Sequence, residues 1–104
     1  MSRTVLFRLD ELADGEVRRA VVGRHALAVV RIGDDVYAIG DRCTHQDVSL
    51  SEGEVDADEC TLECPKHGAA FRLDTGEPTC LPATRPVPTY ELSVVDGDVT
   101  VVIP

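Results

Sequence analysis

Short apolar runs alternate with turn-forming residues along the whole chain, and no stretch carries the three-to-four-residue spacing of an amphipathic helix. Val5 to Leu9 reads as a first strand, Glu16 to Val22 as a second and His25 to Ile32 as a third. Asp14-Gly15 and Gly23-Arg24 supply the turns between them. Asp10 to Ala13 has room for a single turn of helix. The third run is rich in Ala, Val and Leu and reads as the more buried strand. Gly33-Asp34-Asp35 then turns the chain into a fourth strand, Val36 to Ile39. Gly53 to Val55 and Cys60 to Glu63 are short strands around a turn at Asp56 to Asp58, and Ala70 to Leu73 follows. Tyr90 to Val95 and Val99 to Ile103, joined by Asp96-Gly97-Asp98, form a closing hairpin. Seven to nine short strands with turn signals at this density predict an all-β sandwich or barrel.

Before the closing hairpin, four of the six prolines (Pro78, Pro82, Pro86 and Pro88) fall within eleven residues. Proline fixes φ and lacks a backbone donor, so this stretch is a stiff crossing loop rather than a strand. Repeats, linkers and low-complexity tracts are absent, and 104 residues make one domain. The core has to be aliphatic, because the aromatic residues are only Phe7, Tyr37, Phe71 and Tyr90. A bound metal centre would add stability to so thin a core.

Charge narrows the partners. Nineteen acidic against ten basic residues give a formal charge of −9. That excludes a nucleic-acid backbone as partner and suits either a basic patch on another protein or plain solubility. The longest apolar runs, such as Ala26 to Val30, are about five residues, far short of the ~20 of a membrane span. With no basic and apolar leader at the start, the expectation is a cytoplasmic monomer.

The chemistry sits in two short stretches, Cys43-Thr44-His45 and Cys64-Pro65-Lys66-His67. The 18 residues between His45 and Cys64 suffice for a strand, a turn and a returning strand, which brings both stretches to one end of a hairpin. Two thiolates and two imidazoles suit either a zinc ion or a mixed-ligand iron–sulfur cluster. Structural zinc sites usually pair like with like, as Cys-x2–4-Cys and His-x3–5-His. Here each stretch pairs Cys with His, at spacings of one and two intervening residues. That arrangement fits a 2Fe-2S cluster with two Cys on one iron and two His on the other.

On these residues the chain resembles a Rieske-type 2Fe-2S ferredoxin, either the ferredoxin component of a ring-hydroxylating dioxygenase or the small Rieske protein associated with iron–sulfur assembly. Leu50-Ser51-Glu52-Gly53, Pro65, Gly68, Phe71 and Asp74-Thr75-Gly76 match the flanks of the family pattern, and Pro82-Ala83-Thr84 resembles its proline loop. The resemblance implies a Rieske-like antiparallel β fold with a cluster-binding subdomain at about 41–84. It implies one 2Fe-2S cluster held by Cys43, His45, Cys64 and His67. It also implies a one-electron carrier between a flavin-dependent reductase and a terminal oxygenase or other redox protein. Its alternatives are an accessory role in cluster assembly, the small subunit of a nitrite-reductase-like complex, and a structural zinc module.

High-potential relatives carry an extra Cys in each loop and Ser and Tyr hydroxyls near the cluster. Val48, Lys66, Ala69 and Phe71 occupy those positions here. Without such donors, the expected midpoint lies below zero, in the lower part of the family span of about −150 to +300 mV. The chain has no catalytic site of its own: a mononuclear iron site needs two His and a carboxylate, and beyond the two proposed ligands only His25 is left. Cys60 and Cys80 read as free core thiols, Tyr37 and Phe71 as core, and His25 as an exposed residue at the start of a strand.

Overall fold

The computed structural model describes residues 2–42, 49–65, 70–79 and 85–103. Among them are nine strands: β1 (Ser2–Arg8), β2 (Val17–Val22), β3 (His25–Ile32), β4 (Asp35–Gly40), β5 (Glu54–Asp56), β6 (Thr61–Glu63), β7 (Ala70–Arg72), β8 (Thr89–Val95) and β9 (Asp98–Ile103). The helical content of the described residues is two single 3-10 turns, Leu9–Glu11 and Leu50–Glu52. No described helix is long and apolar enough to cross a membrane. The strand assignments from the sequence hold to within a few residues at each end. The turn at Leu50–Glu52 is new.

Six strands form one antiparallel sheet in the order β1-β9-β8-β4-β3-β2, and β5-β6-β7 form a second, smaller one. The hairpins read from the sequence are present, with Val22 opposite His25, Ile32 opposite Asp35 and Val95 opposite Asp98. Joining the two hairpin groups needs the long-range pairing of β4 with β8, Ala38 to Tyr90 and Ile39 to Thr89. The outermost strands of the large sheet meet again in its interior. Leu6 and Phe7 of β1 pack on the same apolar cluster as Ala20 and Val22 of β2. The sheet therefore curls into an incomplete barrel, and the Arg18 guanidinium lies over the Phe7 ring across the seam, 5.0 Å from its centre.

β3 explains how the two sheets join. Successive side chains of a strand point to opposite faces. Leu27 and Val29 fill the barrel interior with Ala38, Val101 and Ile103. Ala28 and Val30 point the other way, into a second core with Ile39, Leu50, Leu62, Cys64, Phe71, Leu73 and Val87. Both faces are covered, which is why this strand is apolar at every position from Ala26 to Val30. The small sheet is thus packed onto the outside of β3 and β4. Phe71, the largest fully buried side chain, lies in that second core.

One expectation is corrected. His25 is half-buried rather than exposed. Its Nδ1 lies 3.3 Å from the Tyr90 hydroxyl and the two rings meet edge to face, 5.8 Å apart. A polar ring at a strand start gains a partner 65 residues away once β8 closes against β4.

Candidate metal centre

Three segments lie outside the described residues: 43–48, 66–69 and 80–84. With them lie Cys43, His45, Val48, Lys66, His67, Ala69, Cys80 and the Pro82-Ala83-Thr84 stretch. Of the four expected ligands, the described residues contain Cys64 alone. Among the described residues no group of three or more His, Cys, Asp and Glu side chains converges. The stems of the three segments are nevertheless defined, and they are tied to one another.

The first segment leaves from Arg42 and returns at Ser49, and these two residues form an antiparallel bridge. The chain then makes the 3-10 turn Leu50–Glu52, with Leu50 fully buried. Gly53 follows, its N–H donating to the Leu50 carbonyl at 2.9 Å. A Cβ on Gly53 would stand 1.7 Å from the carbonyl oxygen of Glu63. Only glycine lets the exit of the first segment press so closely on the end of β6. Cys64 and Pro65 follow Glu63 directly and lead into the second segment.

That second segment returns at Ala70, which pairs with Glu63 across the β6–β7 ladder. The third segment departs from Thr79, whose N–H donates to the Ala70 carbonyl at 2.8 Å. It is received by Val87 and Pro88. Val87 N–H donates to the Gly76 carbonyl at 2.8 Å, and the Pro88 carbonyl accepts from Gly40 N–H at 2.8 Å. Gly40 stands just before the stem of the first segment. All three segments are therefore rooted in one hydrogen-bonded frame.

Asp41 is the residue of this frame that the sequence did not disclose. It is only 3% exposed. Its Oδ1 accepts from Ser51 N–H at 2.8 Å and its Oδ2 from Arg19 Nε at 2.9 Å. Its carbonyl accepts from Leu50 N–H. The only signal available beforehand was an acidic residue set among Gly40 and Arg42 next to a ligand motif, and acidic residues there are ordinarily solvated.

Cys64 is a free thiol, 1% exposed, set among Leu50, Leu62 and Phe71. A buried thiol outside any disulfide suits a soft metal. Cys60 is also free and half-buried, which raises the alternative of an all-cysteine site. The strand geometry excludes it as a co-ligand of Cys64. The two residues bracket β6, and four steps of extended chain at about 3.3 Å each separate them by roughly 13 Å. Cys60 instead sits at a left-handed turn position, φ 57°, with its carbonyl accepting from Leu73 N–H. It faces Tyr37, whose phenol is pushed above the ordinary value of 10.0, first by burial and then by its hydrogen bond to Cys60.

The surface beside Cys64 is acidic. A shallow depression of about 310 Å³ is lined by Glu52, Gly53, Glu54, Glu63, Cys64 and Pro65. Glu54 and Glu63 are exposed and stand directly opposite each other on β5 and β6. Like charges in that register cost stability. The stretch 51–65 holds six acids and no Lys or Arg.

The model of the Rieske [2Fe-2S] domain matches residues 2–91. The chain belongs to the Rieske [2Fe-2S] family. It is 39% identical over 104 residues to the 3-phenylpropionate/cinnamic acid dioxygenase ferredoxin subunit of Escherichia coli K12, covering all of this chain and 96% of that one. The ferredoxin of carbazole 1,9a-dioxygenase from Nocardioides aromaticivorans IC177 superposes with a TM-score of 0.97 at 34% identity, over the full length of both chains. A ferredoxin solved in complex with the oxygenase of carbazole 1,9a-dioxygenase matches with a TM-score of 0.87 at 42% identity, over 95% of this chain and 91% of that one.

As a Rieske protein the chain carries one 2Fe-2S cluster. The donor chemistry fits: Cys64 is a buried free thiol just after β6, and the sequence supplies a Cys and two His at 43, 45 and 67. Of the two chemistries open from the sequence, zinc is set aside. The full-length relatives are ferredoxin components of dioxygenase systems.

Proposed function

We propose that this chain is the ferredoxin of a ring-hydroxylating oxygenase system, taking single electrons from a flavin-dependent reductase and delivering them to a terminal oxygenase. We take residues 1–104 as one Rieske domain, with the cluster-binding part at about 41–84. Cys43, His45, Cys64 and His67 would hold the cluster, the two Cys on one iron and the two His on the other. The observation that carries the reading is full-length agreement with dioxygenase ferredoxins in sequence and shape, together with a frame that roots both ligand segments beside a buried Cys64.

The bound cluster supplies one-electron redox chemistry; the chain's residues decide where the electron enters and leaves. Leu50, Leu62 and Phe71 bury the Cys64 side and exclude water from it. Cys64 would thus hold the cluster from its buried side. The acidic rim of Glu52, Glu54 and Glu63 favours a basic partner and speeds encounter with it at low salt. The absence of hydroxyl donors at Ala69 and Phe71 keeps the potential low in the family span.

Stopped-flow mixing of the reduced protein with an oxidised ring-hydroxylating oxygenase tests the proposal. The expected result is reoxidation of the ferredoxin within single turnovers and a rate that falls steeply as salt is raised. A reduced protein that transfers no electron to such oxygenases at low salt contradicts it.

A further inference from the structure

Asp41 stands two residues before Cys43 and is 3% exposed. A carboxylate so placed is costly unless both oxygens are met. Both are met, by Ser51 N–H at 2.8 Å and by Arg19 Nε at 2.9 Å. Its backbone is engaged as well, N–H to the Ala26 carbonyl at 3.0 Å and carbonyl to Leu50 N–H. The entry to the first ligand segment is thereby bound to its exit, to β3, and through Arg19 to β2. The Arg19 side chain is 54% exposed. The ion pair thus runs from the buried stem to the surface.

We propose that Asp41 is a positioning residue for the cluster, and that the Arg19–Asp41 pair sets the reduction potential by fixing the first ligand segment and keeping the charge beside it balanced. This rests on Cys43 and His45 being ligands. One-electron reduction would add a negative charge to a cluster held by Cys43, two residues along the chain from Asp41. A nearby positive charge favours that change and a negative charge opposes it. The intact pair contributes little net charge. Asp41→Asn retains an oxygen for Ser51 N–H but strips Arg19 of its counter-charge, so the potential rises. Arg19→Gln leaves a buried carboxylate uncompensated, so the potential falls. With both changes the net charge is again balanced and the shifts cancel.

The test is an EPR-monitored redox titration at pH 8 of the cluster-loaded protein, its two single variants and the double variant. Iron content and a thermal melt accompany each. The expected result is two shifts of opposite sign, and a double variant close to the unmodified protein. A loss of packing alone would move both single variants the same way and the double variant further still. That result, or unchanged potentials in loaded variants, overturns the proposal. Should Asp41→Asn fail to hold the cluster, Arg19→Gln, altered on the exposed half of the pair, still decides by the presence or absence of its downward shift. Failure of the ligand assignment shows separately, as missing histidine-nitrogen coupling in the unmodified protein.

Discussion

Tyr37 shows what a single residue contributes through burial. Its phenol packs against the second core beside Cys60, and burial, that hydrogen bond and the neighbouring charges of Asp35 and Asp74 all raise its pKa above 10.0. The folded chain therefore binds this proton more tightly than the unfolded chain. The resulting stability is fully present below the ordinary value and is lost as pH rises through the raised one. The melting temperature is expected to fall on the alkaline side above about pH 10, and Tyr37→Phe is expected to blunt that fall and remove the late phenolate absorbance step. An alkaline fall of the same size in the variant would show that another group is responsible. The buried cores were legible residue by residue: Phe71 and the Ala26–Val30 run are where apolar character places them. Partners of polar residues were not. His25 with Tyr90 and Asp41 with Arg19 are paired only because distant strands close upon each other, and neither side chain carries a local sign of it.

At the scale of elements, the small sheet ties together the stems that flank residues 43–48, 66–69 and 80–84, and its close contacts have no slack. The Gly53 backbone presses on the Glu63 carbonyl, so Gly53→Ala has to push the first stem away from β6. Overpacking of this kind costs about 1–3 kcal/mol, occasionally more. A lowered melting temperature and a lower iron content per chain are expected; a variant that melts and loads like the unmodified protein would show that the two stems are not pressed together in solution. Gly76 carries a similar constraint on the third stem. Its φ is +78°, and a Cβ there would meet the Val87 carbonyl at 2.1 Å. In the sequence Gly53 reads as the start of a short strand and Gly76 as the end of the Asp74-Thr75-Gly76 flank, while Gly15, Gly23, Gly33 and Gly97 mark the turns. What turn signals do not carry is which edges meet. The β4–β8 pairing and the seating of the small sheet on β3 and β4 depend on contacts far apart in sequence. The 3-10 turn Leu50–Glu52 escaped because it was visible only as the flank of a ligand motif, and one short turn leaves no periodicity.

For the whole molecule, a curled six-stranded sheet supports a smaller sheet, and the chain carries a formal charge of −9. The acids are not evenly spread. Six fall in 51–65, and the opposed pair Glu54 and Glu63 stands beside Cys64. The charge thus concentrates on the β5–β6 surface beside Cys64, at some cost in β5–β6 stability. The candidate site rests on a ligand pattern in the sequence, unlike donors paired at short spacing, of which the described residues contain Cys64. Its frame was not legible there, because Asp41, Gly53 and the Thr79–Ala70 contact acquire their roles only from the fold.

The central claim is mixed ligation of one cluster by Cys43, His45, Cys64 and His67. Pulsed EPR of the dithionite-reduced protein, prepared with natural-abundance and with 15N-labelled histidine, tests it most directly. The account predicts a rhombic signal with two coupled histidine nitrogens that change with the label, both retained in His25→Ala and one lost in each of His45→Ala and His67→Ala where the cluster survives. A cluster signal with no histidine coupling, or a colourless protein that holds only zinc, would contradict it.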